Sequence, residues 1–192
     1  AIAITGLAGR FPGAASVDEF WQHIRAGTNL IPVFDNDQME DALTAEQRAD
    51  PAYKTARPVL PDVDMFDAKF FDMLPFEAAQ MDPQARLFLE VCVEALEDAG
   101  LDPARAPGPV GVFAGATLST YLLANLMQDR ATLEEFTTSF QIGNYAALTG
   151  NTNDNLAGRV AYKLNLKGPA MAISTACSTS LTAIAQACQS LR

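Results

Sequence analysis

The chain has 192 residues, 49% hydrophobic and 19% charged, which suits one packed domain or two small ones and excludes a disordered tail. Its 13 Lys+Arg against 23 Asp+Glu leave a formal net charge of −10. That charge argues against nucleic acid or an anionic membrane as partner and leaves small molecules and proteins.

The three cysteines, Cys92, Cys177 and Cys188, have no C-x-x-C spacing, so neither a disulfide framework nor a zinc site is indicated. No apolar run reaches the roughly 18 residues of a membrane helix. No basic-then-apolar leader opens the chain, and the expectation is a soluble, cytoplasmic domain. Ala1 begins directly in an apolar run, and the helical composition of residues 185–192 ends without Gly, Asn or Pro. Both ends are expected to be cut from something longer.

Strands and helices are expected to alternate. Ile2-Ala3-Ile4-Thr5 reads as a first strand, followed by a loop marked by Gly6, Gly9, Pro12 and Gly13. Ser16, with Glu19 three residues on, predicts a capped helix to about Arg25, closed before Gly27. Residues 32–80 are irregular, acidic and rich in proline, and read as an insertion. Asp82-Pro83 predicts a helix start, with Leu87, Val91 and Leu96 as its apolar stripe and Gly100 as its end.

A second strand is expected over 110–114, then a partly helical insertion over 118–149. Leu156, Val160 and Leu164 predict a helix from about 153 to 164. Lys167-Gly168-Pro169 then turns the chain into a short strand over 170–174, and a last helix is expected from about Ser178 to Leu191. The β-α-β-α order favours an α/β layered fold.

Chemistry concentrates in Ile173-Ser174-Thr175-Ala176-Cys177-Ser178-Thr179-Ser180-Leu181. A strand, a turn of small residues and a helix place Cys177 at the helix start, where unpaired N–H groups and the helix dipole favour a thiolate. The same N–H groups suit the oxyanion of an acyl intermediate, and Ala176, Ser178 and Ser180 leave room for a thioester. The pattern is the cysteine counterpart of a serine nucleophile elbow. By pattern alone a second reading stays open, a buried small hydrophobe in an Ala/Ser-rich helix. Cys188, eleven residues on, and Cys92 both read as core. The only histidine, His23, lies on a short amphipathic helix and receives no role. Asp62, Asp64, Asp67 and Asp72 fit a solvated turn-forming loop better than a metal site, with Phe66, Phe70 and Phe71 as its apolar side. There is no dinucleotide or phosphate-loop glycine pattern.

These residues resemble the β-ketoacyl synthase (ketosynthase) domain of modular type I polyketide synthases. The resemblance runs through Ile4-Thr5-Gly6-Leu7-Ala8-Gly9-Arg10-Phe11-Pro12-Gly13-Ala14, the Phe20-Trp21 helix, and Asp62-Val63-Asp64-Met65-Phe66-Asp67 with Phe70-Phe71. It continues through Met81-Asp82-Pro83-Gln84, Leu156-Ala157-Gly158-Arg159 and Leu166-Lys167-Gly168-Pro169 to the active-site block Thr175-Ala176-Cys177-Ser178, then Cys188-Gln189-Ser190-Leu191-Arg192.

The resemblance implies the first half of a thiolase-like α/β/α/β/α sandwich, spanning residues 1–192, with the two insertions above. It implies Cys177 as the catalytic nucleophile, no directly bound cofactor and no metal. Acyl and malonyl thioesters would arrive on the phosphopantetheine of an acyl carrier protein. Cys177 would take the acyl chain, and a decarboxylated malonyl-type unit would attack it in a Claisen condensation. The family's two histidines and supporting lysine belong to the second half, so these residues alone are expected to be inactive. The alternatives are a non-elongating transacylase or a non-catalytic dimerisation or docking fragment. A homodimer is expected, with the region around 118–149 at its interface, and a half-domain should expose apolar surface. Two positions depart from the pattern: Ser174 replaces a common acidic residue, and Arg57-Pro58 replaces a Gly-rich stretch.

Overall fold

The computed structural model describes residues 1–35, 44–139 and 145–192. The expected insertions over 32–80 and 118–149 therefore lie partly outside the described residues. The chain divides into two compact units, one formed by Ala8–Val63 and the other by Ala1–Leu7 with Asp64–Arg192.

In the smaller unit, α1 spans Val17–Ala26 and begins as the sequence predicts. Ser16 Oγ accepts the Glu19 N–H at 3.1 Å, which satisfies one of the donors a helix start leaves open. Glu19 reaches back one residue further than a capping box requires, accepting the Ala15 N–H at 2.7 Å. Phe20 of this helix stacks on Phe11 with ring centroids 4.1 Å apart. A short helix α2, Ala45–Ala49, carries a complete capping box from Thr44 and Gln47. The departure at Arg57 is accommodated locally: its guanidinium donates to the Tyr53 hydroxyl at 2.7 Å, and its N–H to Pro32 O at 3.1 Å.

The larger unit holds α3 (Pro75–Gln80), α4 (Pro83–Asp98), α5 (Arg130–Ser139), α6 (Tyr145–Asn151), α7 (Asn155–Lys163) and α8 (Thr179–Ser190). A single turn of π-helix, Leu122–Leu126, precedes α5. Its strands are β1 (Val112–Ala114) and β2 (Ala170–Ala172). They pair in parallel, Val112 opposite Ala170 and Ala114 opposite Ala172. A parallel pair needs a long crossover, and here the crossover carries α5, α6 and α7 before the chain returns as β2.

The core joins Val112 and Ala114 of β1 to Leu156, Ala157 and Val160 of α7, Leu89 of α4, and Phe71, Met73 and Met81 of the preceding segment. Leu89 and Val160 are essentially inaccessible, and burying each contributes about 1.5–3 kcal/mol. The face of α4 turned to this core is Ala85, Leu89, Cys92 and Val93, not the expected Leu87, Val91 and Leu96, which are only half-buried. Both sets have helical spacing. Tertiary packing selects the one continuous with Met81.

The expected strand at Ile2–Thr5 is absent, since β1 and β2 pair only with each other among the described residues. Ile2–Thr5 is exposed, and the chain meets α4 just beyond it, at Gly6 and Leu7. Leu7 N–H donates to Asp98 Oδ2 at 2.8 Å, and a Cβ on Gly6 would lie 2.4 Å from the Ala95 carbonyl oxygen. Only glycine permits that approach.

Phe71 is buried and stacks on Phe66 at 5.1 Å, whereas Phe70 is exposed and meets Phe71 edge-on at 4.9 Å. The acidic residues beside them shape turns: Asp67 Oδ1 accepts the Phe70 N–H at 2.9 Å, and Asp62 and Asp72 adopt φ of +53° and +49°. Among the described residues no group of three or more His, Cys, Asp or Glu could hold a metal ion.

Candidate active site

The backbone hydrogen-bond ladder between β1 and β2 ends where Ile173 N–H donates to Ala114 O at 2.8 Å. Beyond it the chain makes one turn of 3₁₀-helix, Ala176–Ser178, and enters α8 without a break. Cys177 occupies the middle of that turn and is exposed. The structure thus sets it two residues before α8, which starts at Thr179 against an expected start at about Ser178. Ser178 N–H donates to Thr175 O at 3.2 Å, and Thr179 N–H donates to Ala176 O, so both groups are committed to the turn. The positive end of the α8 dipole still lies immediately beyond the thiol.

Hydroxyls tie the turn to the helix. Thr175 N–H donates to Thr179 Oγ1 at 3.0 Å, Thr175 Oγ1 donates to Thr182 Oγ1 at 3.2 Å, and Ser178 Oγ donates to Thr175 O at 2.8 Å. Ala176 adopts φ +52°, a left-handed conformation that costs a β-carbon-bearing residue about 1–2 kcal/mol. Sequence reasoning missed this network. Its signal is present in Thr175, Ser178, Thr179 and Thr182, whose three- and four-residue spacing puts hydroxyls on one side of a helical turn.

The other cysteines sit in different surroundings. Cys92 packs against the core, and burial pushes its thiol up to about 12. Cys188 is half-buried within α8. His23 lies in the smaller unit with its Nε2 3.7 Å from Glu19 Oε1. Ser174 is exposed just before the turn. On α8, Leu181 and Ile184 are 75% and 60% exposed, so the helix after the turn presents an uncovered apolar face.

A separate cleft of about 1110 Å³ lies between α3, α6 and α7 and shares no lining residue with the Cys177 turn. Its Arg159 donates to Thr149 O at 2.9 Å, and burial holds the guanidinium below its usual range against the opposing pull of Glu77.

A parallel strand pair thus leads through a turn with Ala176 at φ +52° to an exposed cysteine two residues before α8. The family model described as Beta-ketoacyl synthase, N-terminal domain, matches residues 1–192. The chain belongs to the β-ketoacyl synthase family. A phenolphthiocerol/phthiocerol polyketide synthase of Mycobacterium tuberculosis is 43% identical to this ketosynthase chain, over all of the chain and 13% of that protein. The pikromycin polyketide synthase component PikAII of Streptomyces venezuelae is 41% identical, over all of the chain and 5% of that protein.

Among solved structures, the oxazolomycin ketosynthase domain OzmH KS7 of Streptomyces albus aligns with a TM-score of 0.79 at 34% identity, over 98% of this chain and 32% of that one. Ketosynthase twelve of the bacillaene polyketide synthase of Bacillus amyloliquefaciens aligns with a TM-score of 0.81 at 28% identity, with the same coverage. The fold is therefore thiolase-like, and these residues form the first part of it. The chain spans only a small fraction of the curated relatives it matches. Among the described residues no helix is long and apolar enough to cross a membrane.

Proposed function

We propose that residues 1–192 are the N-terminal half of a ketosynthase domain and that Cys177 is its catalytic nucleophile. One observation carries the reading: in a chain matched end to end by the family model, an exposed cysteine sits in the turn between a parallel strand and α8. Cys177 Sγ attacks the carbonyl carbon of an acyl thioester, the bond from that carbon to the pantetheine sulfur breaks, and the carrier's thiol leaves with a proton. The N-terminal end of α8 lies two residues beyond the attacking sulfur, where its dipole stabilises negative charge that develops during the attack.

A malonyl-type thioester then loses CO₂, and the electron pair left on its α-carbon attacks the acyl carbonyl on Cys177. The new carbon–carbon bond forms as the Cys177 thiolate leaves, which yields a 3-oxoacyl thioester. Both thioesters are substrates presented on the phosphopantetheine of an acyl carrier protein. The small neighbours Ala176, Ser178 and Ser180 leave an approach for that arm. The groups that promote decarboxylation belong to the second half of the domain, so residues 1–192 alone do not condense. A homodimer is the expected assembly. The unbridged cysteines suit the reducing cytoplasm.

The test uses the full-length polypeptide that carries these residues. Incubated with an acyl thioester, it gains the acyl mass on the peptide containing Cys177, and Cys177→Ala does not. Adding a malonyl thioester then releases a 3-oxoacyl product. Absence of the adduct, or an equal adduct on Cys177→Ala, overturns the reading. An adduct without condensation turns it into that of a transacylase.

A further inference from the structure

The Thr179 side chain touches both the turn carrying Cys177 and Gly115, the residue that follows β1. Its Oγ1 accepts the Thr175 N–H at 3.0 Å. Its methyl Cγ2 fills the space beside Gly115, where a Cβ would come within 2.3 Å of it and within 2.2 Å of the Ile173 carbonyl oxygen. Gly115 directly follows β1 and Ile173 directly follows β2. The hydroxyl therefore anchors the start of the turn, and the methyl locks the start of α8 onto the end of β1. Between these anchors lies Ala176 at φ +52°. Such strain persists only where surrounding contacts over-determine the backbone.

We infer that Thr179 is a positioning residue for Cys177: its hydroxyl and its methyl together hold the strained turn that sets the sulfur relative to an incoming thioester. The inference rests on the reading of Cys177 as acyl acceptor. Substitution separates the two halves of the side chain, of which the hydroxyl carries the larger share. Valine keeps the shape and leaves the Thr175 N–H without its acceptor, whereas serine keeps the acceptor and loses the methyl. A displacement of about 1 Å at a reacting atom lowers rates on the order of 10²-fold. Thr179 itself exchanges nothing with substrate, so the deficit falls on the rate of acylation and not on thioester binding.

The experiment measures single-turnover acylation of Cys177 by an acyl thioester in the full-length polypeptide, with Thr179→Ser, Thr179→Val and Thr179→Ala beside the wild type. Thr179→Val and Thr179→Ala lower the maximal rate about tenfold or more at an unchanged half-saturating thioester concentration. Thr179→Ser restores the oxygen and recovers the rate to within about threefold of wild type. If Thr179→Val is lost to misfolding, Thr179→Ser against Thr179→Ala, which differ by one oxygen, gives the same comparison. A wild-type rate in Thr179→Val or Thr179→Ala, or a loss confined to half-saturation, overturns the positioning role and leaves Cys177 as nucleophile. Absence of acylation in the wild type overturns the function itself, and the positioning role with it.

Discussion

The Asn151 side-chain amide donates to the Gln80 carbonyl at 2.7 Å, joining the end of α6 to the end of α3 across 71 positions of sequence. The same nitrogen donates to Ala147 O at 2.7 Å, and Oδ1 accepts the Ser119 hydroxyl at 3.0 Å. Asn151 and Ser119 are both buried, so water does not readily replace the amide when it is removed. Asn151→Leu is expected to destabilise the protein by about 1–3 kcal/mol, read as a lower denaturant midpoint. Asn151→Asp is expected to cost at least as much, because a carboxylate oxygen then faces two carbonyls.

Gly115→Ala tests the close approach beneath the turn. The added carbon would meet the backbone oxygen of Ile173 at 2.2 Å, and a backbone atom cannot rotate aside as a side chain can. A loss of about 1–3 kcal/mol is expected, together with slower acylation of Cys177. Denaturation and single-turnover acylation of the same variant check both parts.

Cys92 supplies a pH signature. Its thiol is pushed from 9.0 to about 12 by burial, so the folded protein holds a proton that the unfolded chain releases earlier. The stability this contributes is fully present below the ordinary thiol value and is lost as pH rises towards about 12. Between about pH 9 and about pH 11 the wild type is expected to lose stability faster than Cys92→Ala, as denaturant midpoints at a series of pH values will show. Alkylation at neutral pH should mark exposed Cys177 and reach Cys92 only after unfolding.

Ser16→Ala tests the cap of α1. Removing the oxygen that accepts the Glu19 N–H at 3.1 Å is expected to cost about 1 kcal/mol. Exchange of that amide should accelerate about fivefold, with α8 amides unchanged as the internal control.

The local chemistry of the chain was legible because it depends on neighbours. Ser16, Asp82-Pro83 and Gly27 mark helix ends by bonds made within a few residues, and the α7 stripe of Leu156, Ala157 and Val160 follows from helical period alone. The strand-to-helix turn at Cys177 was legible for the same reason, except that a 3₁₀ turn intervenes and takes up two N–H groups expected to remain open.

Tertiary structure decided the rest. Periodicity could not choose between Leu87-Val91-Leu96 and Ala85-Leu89-Cys92 as the buried face of α4, because both repeat at helical spacing; contact with Met81 and α7 chose the second. Ile2–Thr5 has strand composition, but a strand exists only where a neighbour accepts its hydrogen bonds, and here the segment is exposed and unpaired with either strand. By itself the sequence determined the family, the helix caps and the one cysteine placed in the turn between β2 and α8. Only the fold could bring Gly115 under Thr179 and Asn151 to Gln80, since a methyl contact or a hydrogen bond between residues 64 or 71 positions apart leaves no periodic trace in the chain.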